Sequence, residues 1–268
     1  MKKIIKRSIA VIMCLPSLLL CCCGEQQQGK SEDHRSVRAV TQEPIIKGTW
    51  KEGITYQYNE ETASLTVSGK IIDGVNIYYW QKDETPWGRW REDAKELILE
   101  EGVECVTGGA FREFRNLEKI VFPDTLKKIG SYAFYDSIRK IKNLVLPDSI
   151  EEIGDCALAL DHTSGIGFEK IRLPKKLRSI GDLAFTSQAM TSITIPENVE
   201  SMEDYIFEDC VLLEKVIIKS KKLKSVDGGV FLHTNEDLKV YVPKGLEEKY
   251  RRKLGGIDDE QVYPMKDK

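Results

Sequence analysis

The sequence predicts a solenoid of about six stacked coils, of the α/β class, with a parallel β-sheet on the concave face and short helical or irregular convex turns. A small β cap before the coils and a helical cap after them complete the architecture. Three observations carry this. The phrase Leu117-Glu-Lys-Ile-Val-Phe-Pro-Asp-Thr-Leu-Lys-Lys-Ile-Gly-Ser-Tyr-Ala-Phe134 returns as Phe168-Glu-Lys-Ile-Arg-Leu-Pro-Lys-Lys-Leu-Arg-Ser-Ile-Gly-Asp-Leu-Ala-Phe185. Weaker copies fill most of the chain from Leu97 to Val242. In most copies apolar residues alternate and then stop at a proline, replaced by Glu100 and Lys219 in two degenerate copies, as in a strand with one buried face that ends in a turn.

The chain opens with Lys2, Lys3, Lys6 and Arg7, followed by an apolar stretch from Ile9 to Leu20. That is the pattern of a signal peptide, over residues 1–22, and it is too short to span a bilayer as a helix. Leu20-Cys21-Cys22-Cys23-Gly24 follows and resembles a bacterial lipobox. Cys23 fits the lipidated position best, with Leu20 three before it and Gly24 after; Cys22 is the alternative. A diacylglyceryl-modified Cys23 would hold the protein to an outer-membrane or cell surface, because two or more acyl chains anchor stably. Residues 23–45 read as this lipid attachment and a flexible polar tether.

Residues 46–95 precede the first coil. Ile54-Thr-Tyr-Gln-Tyr58 and Ser64-Leu-Thr-Val-Ser68 alternate around a polar turn and predict a β-hairpin. Trp80, Trp87 and Trp90 crowd near Tyr78 and Tyr79. They read either as the core of a cap or as a sugar-stacking platform.

The coils occupy residues 96–243. Their strand pairs are Leu97/Leu99, Ile120/Phe122, Leu144/Leu146, Ile171/Leu173, Ile193/Ile195, Val216/Ile218 and Val240/Val242. Two more apolar columns follow, Val103 to Leu223 and Val106 to Val226. Gly130, Gly154 and Gly181 are expected to turn the chain at positive φ, which glycine adopts without steric cost. Eleven residues after Pro123, Pro147, Pro174 and Pro196 stand Phe134, Leu158, Phe185 and Phe207, expected to plug each coil. Strands recur every 22–24 residues except between Leu144 and Ile171, where the spacing is 27. Residues 159–167 are therefore a candidate protrusion, as a binding loop or a tolerated insertion.

Leu117-x-x-Ile120-x-Phe122 resembles the core of a leucine-rich repeat. The proline after the strand, with Ile-Gly and Ala-Phe, is similar to the BspA-like leucine-rich repeats of bacterial (Bacteroides-type) surface lipoproteins. Gly48-Thr-Trp50, Leu65-Thr-Val-Ser-Gly69 and Pro86-Trp87 resemble the N-terminal module of that family. The resemblance implies adhesion to host or neighbouring-cell surfaces. Residues 244–268 form the other cap: Leu246, Tyr250 and Leu254 fall at helical spacing, Gly255-Gly256 stops the helix, and Val262-Tyr263-Pro264 closes the chain.

The whole chain has net charge −3, and loss of the signal, with four basic and no acidic residues, takes it to about −7. An acidic body argues against nucleic acid as a partner. Of the seven Cys, Cys105, Cys156 and Cys210 fall in three different columns and are expected as unbridged, buried thiols. His34, His162 and His233 have no metal-ligand spacing. Asp161-His162-Thr163-Ser164 offers acid, base and nucleophile, but neighbours on one loop do not make triad geometry. No catalytic site, metal or cofactor is read, and a monomer is expected.

The outward residues of the strands are the candidate binding surface. One column reads Ile98, Val121, Val145, Arg172, Thr194, Ile217, Tyr241; its neighbour reads Glu96, Lys119, Asn143, Lys170, Ser192, Lys215, Lys239. Rungs about 4.8 Å apart would make ladders roughly 30 Å long. Lys119, Lys170, Arg172, Lys215 and Lys239 would supply charge, and Val121, Val145, Ile217 and Tyr241 contact area, for an acidic protein segment or anionic glycan. The other reading is a solvated face whose lysines block aggregation. A glycan-associated accessory protein using the tryptophan cap is the alternative function.

Overall fold

The computed structural model describes residues 44–51, 53–74, 85–161, 166–226 and 228–266. The signal, Cys23, the tether up to residue 43, His34, Tyr78, Tyr79, Trp80 and residues 162–165 of the candidate protrusion, with His162, Thr163 and Ser164, lie outside the described residues, and Ile45, read as the end of the tether, belongs to a strand. The described residues begin with three antiparallel strands, β1 (Ile45–Trp50), β2 (Ile54–Asn59) and β3 (Ser64–Ser68). The predicted hairpin is β2–β3. It then winds through β4 (Ile71–Asp73), β5 (Glu96–Leu99), β6 (Cys105–Thr107), β7 (Lys119–Val121), β8 (Lys128–Ile129), β9 (Asn143–Val145) and β10 (Glu152–Ile153). It continues through β11 (Lys170–Arg172), β12 (Ser179–Ile180), β13 (Ser192–Ile195), β14 (Ser201–Met202), β15 (Lys215–Ile218), β16 (Ser225–Val226) and β17 (Lys239–Val242). A short α-helix, α1 (Glu247–Arg251), and β18 (Val262–Pro264) follow.

The result is a parallel β-solenoid of about seven turns. The extra turn is β3–β4: β3 pairs antiparallel with β2 on one side and parallel with β5 on the other, and β4 starts the second sheet. This turn lacks the proline and Ala-Phe marks, which is why sequence counting stops at six. The side opposite the first strands is also more regular than expected. Seven strands, β4-β6-β8-β10-β12-β14-β16, form one continuous parallel sheet there, built on the column Val106, Ile129, Ile153, Ile180, Met202 and Val226. The first sheet divides instead into β1-β2-β3-β5-β7, β9-β11 and β13-β15-β17-β18.

Side chains stack coil on coil in the interior. Leu97, Leu144, Ile193, Val216 and Val240 are buried on the first strands, and Val103, Leu126, Ile150, Leu177, Val199 and Leu223 beneath them. Trp87, Phe111 and Phe134 stack at 5.8 and 5.7 Å, and Phe185, Phe207 and Phe231 at 5.7 and 5.5 Å. Leu158 interrupts the aromatic run in the long coil. Each such side chain contributes about 1.5–3 kcal/mol by leaving water.

The repeat glycines do a different job from the one the sequence predicts. Gly130, Gly154 and Gly181 are not at positive φ. They stand where adjacent coils touch: a Cβ on Gly154 would lie 2.9 Å from the Ser131 amide nitrogen, and one on Gly181 would lie 2.7 Å from that of Asp155. The left-handed positions fall two residues before and two after the plug. Tyr132, Cys156, Leu183 and Tyr205 have φ between 49° and 57°; Glu113, Asp136, Ser187, Asp209 and His233 have φ between 54° and 63°. The turn needs an αL residue there, and inter-coil packing offsets the cost of about 1–2 kcal/mol for a residue with a Cβ.

Three residues after the plug a further column links the coils. Ser137 Oγ donates to the Phe111 carbonyl, Gln188 Nε2 to that of Leu158 at 2.7 Å, and Cys210 Sγ to that of Phe185 at 3.1 Å. Ser137 Oγ also accepts from the Phe114 amide at 3.0 Å, and Gln188 Oε1 from the Phe168 amide at 3.2 Å. Both side chains sit between coils just upstream of the two places where the first sheet opens, so a side chain sets the spacing there. Cys105, Cys156 and Cys210 are free thiols, the first half-buried. Burial pushes Cys156 up to about 11 and Cys210 up to about 12.

At the C-terminal end α1 is shorter than the apolar spacing implies, ending at Arg251, well before Gly255. Tyr250 is its buried anchor and donates its hydroxyl to the Ser220 carbonyl. Asp258 and Gln261 form a capping box around the 3-10 turn Asp259–Gln261, and β18 then adds to β17 in parallel.

Candidate functional site

The outer face of the first sheet carries the residues singled out from sequence, and the fold sorts them into groups. In the first group Lys119 is opposite Glu96, and its Nζ lies 2.6 Å from Glu96 Oε1. That hydrogen bond holds the Glu96 carboxyl below the usual carboxylate range. The charge of Lys119 is thus answered within the chain. Val121 is 37% exposed and Val145, across the first opening, 61%. No continuous ladder 30 Å long is formed: the register breaks between β7 and β9 and again between β11 and β13.

On β11 Lys170 pairs in register with Asn143, and Arg172 with Val145. Arg172 donates to Asp148 Oδ1 at 2.6 Å and to the Leu146 carbonyl at 3.1 Å. Lys175 Nζ lies 3.2 Å from Asp148 Oδ2. The Arg172 hydrogen bond, with help from Lys175, brings the Asp148 carboxyl down to about 2.

The third group is on β15, β17 and β18. Lys215 pairs with Lys239 and Ile217 with Tyr241. Lys215 Nζ sits 5.2 Å from the Tyr241 ring, and the Tyr241 and Tyr263 rings are 5.7 Å apart, tilted by 31°. Among the described residues Lys170, Lys215 and Lys239 make no ion pair, so the unanswered positive charge of this face lies in its C-terminal part.

Between β11 and β13 lies a cleft of about 590 Å³. Lys175 and Lys219 on its lining are absent from the sequence-derived set, which used only residues inside the strands. The signal for them was present: both stand at or just after the proline column.

The other candidates are structural. Trp87 is fully buried and donates Nε1 to the Ala110 carbonyl at 2.8 Å; Trp90 is buried and stacks on Tyr58 at 4.6 Å. Neither offers a face to a sugar, which corrects that part of the tryptophan-platform expectation. Asp161 meets the Tyr135 hydroxyl at 3.4 Å. His233 lies on the surface 3.4 Å from Asp209. Among the described residues no three His, Cys, Asp or Glu side chains are grouped as metal ligands, and no helix is long and apolar enough to cross a membrane.

A parallel solenoid with a two-strand coil, a plug phenylalanine and an outward-facing strand column is a leucine-rich repeat scaffold. The BspA type leucine rich repeat region matches in six copies over residues 90–168 and 161–252, and the chain belongs to that family. The fold is similar to that of a leucine-rich repeat protein from Eubacterium ventriosum, with 18% identity and a TM-score of 0.52 over 74% of this chain and 55% of that one. The pneumococcal vaccine antigen PcpA is also similar, at 20% identity and a TM-score of 0.43 over 79% of this chain and 46% of that one. A leucine rich cell surface protein from Faecalibacterium prausnitzii matches at 13% identity and a TM-score of 0.43, over 78% and 72%. The chain thus spans about half the length of the first two. No curated protein matches it. The family that matches is a repeat region, and no enzymatic family is indicated.

Proposed function

We propose that this chain is a cell-surface lipoprotein, anchored through Cys23 to an outer-membrane or cell surface, that binds an extended anionic macromolecule on the outer face of its first sheet. The observation that carries the reading is a set of exposed lysines with no ion-pair partner among the described residues, Lys170 on β11 and, beside Ile217 and Tyr241, Lys215 and Lys239, on an otherwise acidic protein. Cations of this kind raise the encounter rate of an anionic partner and make its binding sensitive to salt. The targeting pattern at the N-terminus supports the anchor.

The test uses the full chain in detergent on arrays of glycans and matrix proteins at two salt concentrations. Binding to an anionic ligand should fall with salt and be lost when Lys170, Lys215 and Lys239 are changed to Glu. A ligand bound equally well by that variant sinks the assignment of the face. For the anchor, cells fed a labelled fatty acid should label the wild type and leave Cys23→Ala unlabelled; label on that variant moves the site to Cys22.

A further inference from the structure

Resting on that reading of the face, we infer that the cleft between β11 and β13 is a subsite for a sulfate- or carboxylate-bearing sugar of an acidic polysaccharide. Its walls are the facing edges of two parallel strands that share no ladder pairing. Some of their Cα atoms still lie within 8 Å of one another. Inserting a strand would require two ladder spacings, about 9.6 Å, so the slot does not admit a peptide strand; the cleft of about 590 Å³ above the strands is the space left for a saccharide substituent. The edges offer backbone donors and acceptors that the neighbouring coil does not use.

The side chains point to the class of occupant. Ile171 and Ile193 form the floor, Ser192 and Thr194 supply hydroxyls, and Lys170 and Lys219 stand exposed at the two ends without an ion pair among the described residues. There is no aromatic side chain in the lining. Protein–protein contacts favour aromatic and Arg anchors and are depleted in Lys and Ser, whereas this lining has three Lys, a Ser and no aromatic residue, and its one Arg, Arg172, is held by Asp148. Lysines acting as point charges, with hydroxyls between them, suit a hydrated anionic group on a polyhydroxylated ligand. Arg172 and Lys175 stand at the rim in a held state, both on Asp148. Asp148, and Glu197 on the lining itself, therefore limit the positive potential of the slot.

The test titrates the full chain in detergent with heparin oligosaccharides, oligogalacturonate and a poly-glutamate peptide. Lys170→Gln/Lys219→Gln should weaken saccharide binding by about tenfold, the size of one charge-assisted contact. Asp148→Asn should tighten it, a gain that misfolding does not produce. Preference for heparin assigns the slot to sulfate, and preference for oligogalacturonate assigns it to carboxylate; each supports the inference. Tighter binding of poly-glutamate than of either saccharide overturns it, as does the absence of saccharide binding by the folded protein. If saccharide binding is lost in Lys215→Gln/Lys239→Gln but unchanged in the slot variants, the slot is excluded and the face retained. If neither pair affects a saccharide that binds, both readings fail.

Discussion

Gly181 occupies a place where two coils come closer than a methyl group permits. Its φ is one that any residue adopts, so conformational freedom is not the reason for it. A Cβ would sit 2.4 Å from Asp155 Oδ1 and 2.7 Å from both the Asp155 nitrogen and the Gly154 carbonyl carbon. Two of these are backbone atoms that cannot move without shifting the coil. Gly181→Ala is expected to cost about 1–3 kcal/mol in a denaturant melt, the range for overpacking. A melt unchanged by Gly181→Ala would show that the coils separate freely there. The left-handed residues explain why the glycine was misread: Tyr132, Cys156 and Leu183 carry side chains at positive φ two residues further on. A sequence offers no local mark for that, because the strain is offset by contacts with the next coil.

At the scale of the strand, alternation was a sufficient guide. Leu144 and Leu146 are buried and Val145 between them is exposed, as period two requires. Leu146→Asp would bury a charge with no partner beneath the sheet. It should cost more than about 3 kcal/mol and lower the thermal midpoint sharply. A midpoint unchanged from wild type would place Leu146 outside the core. The two-residue strands of the second sheet were not legible as strands. Their apolar residues, such as Ile129 and Ile180, were visible as a column, but only pairing with neighbours above and below makes them a sheet. The column at Ser137, Gln188 and Cys210 escaped for a related reason. Its three side chains share one role, reaching back to a carbonyl of the preceding coil, and no chemical likeness in the sequence reveals it.

For the molecule as a whole, each coil stabilises only its neighbours, so a local departure remains local. The long coil between Leu144 and Ile171 illustrates this. Ala159, Leu160 and Gly167 at the ends of its extra segment are buried, and the second sheet runs past it without interruption while the first sheet opens beside it. The sequence by itself determined the solenoid, its period, the buried columns and the outward identity of Lys170, Lys215, Lys239 and Tyr241. These are one-dimensional properties: repetition fixes the stacking, and alternation fixes which side faces water. The tertiary structure decided which lysines keep a free charge and where the ladder breaks. Lys119 is answered by Glu96 and Arg172 by Asp148. Ion pairing and strand separation depend on distances between coils about twenty residues or more apart in sequence, which stacking alone brings together.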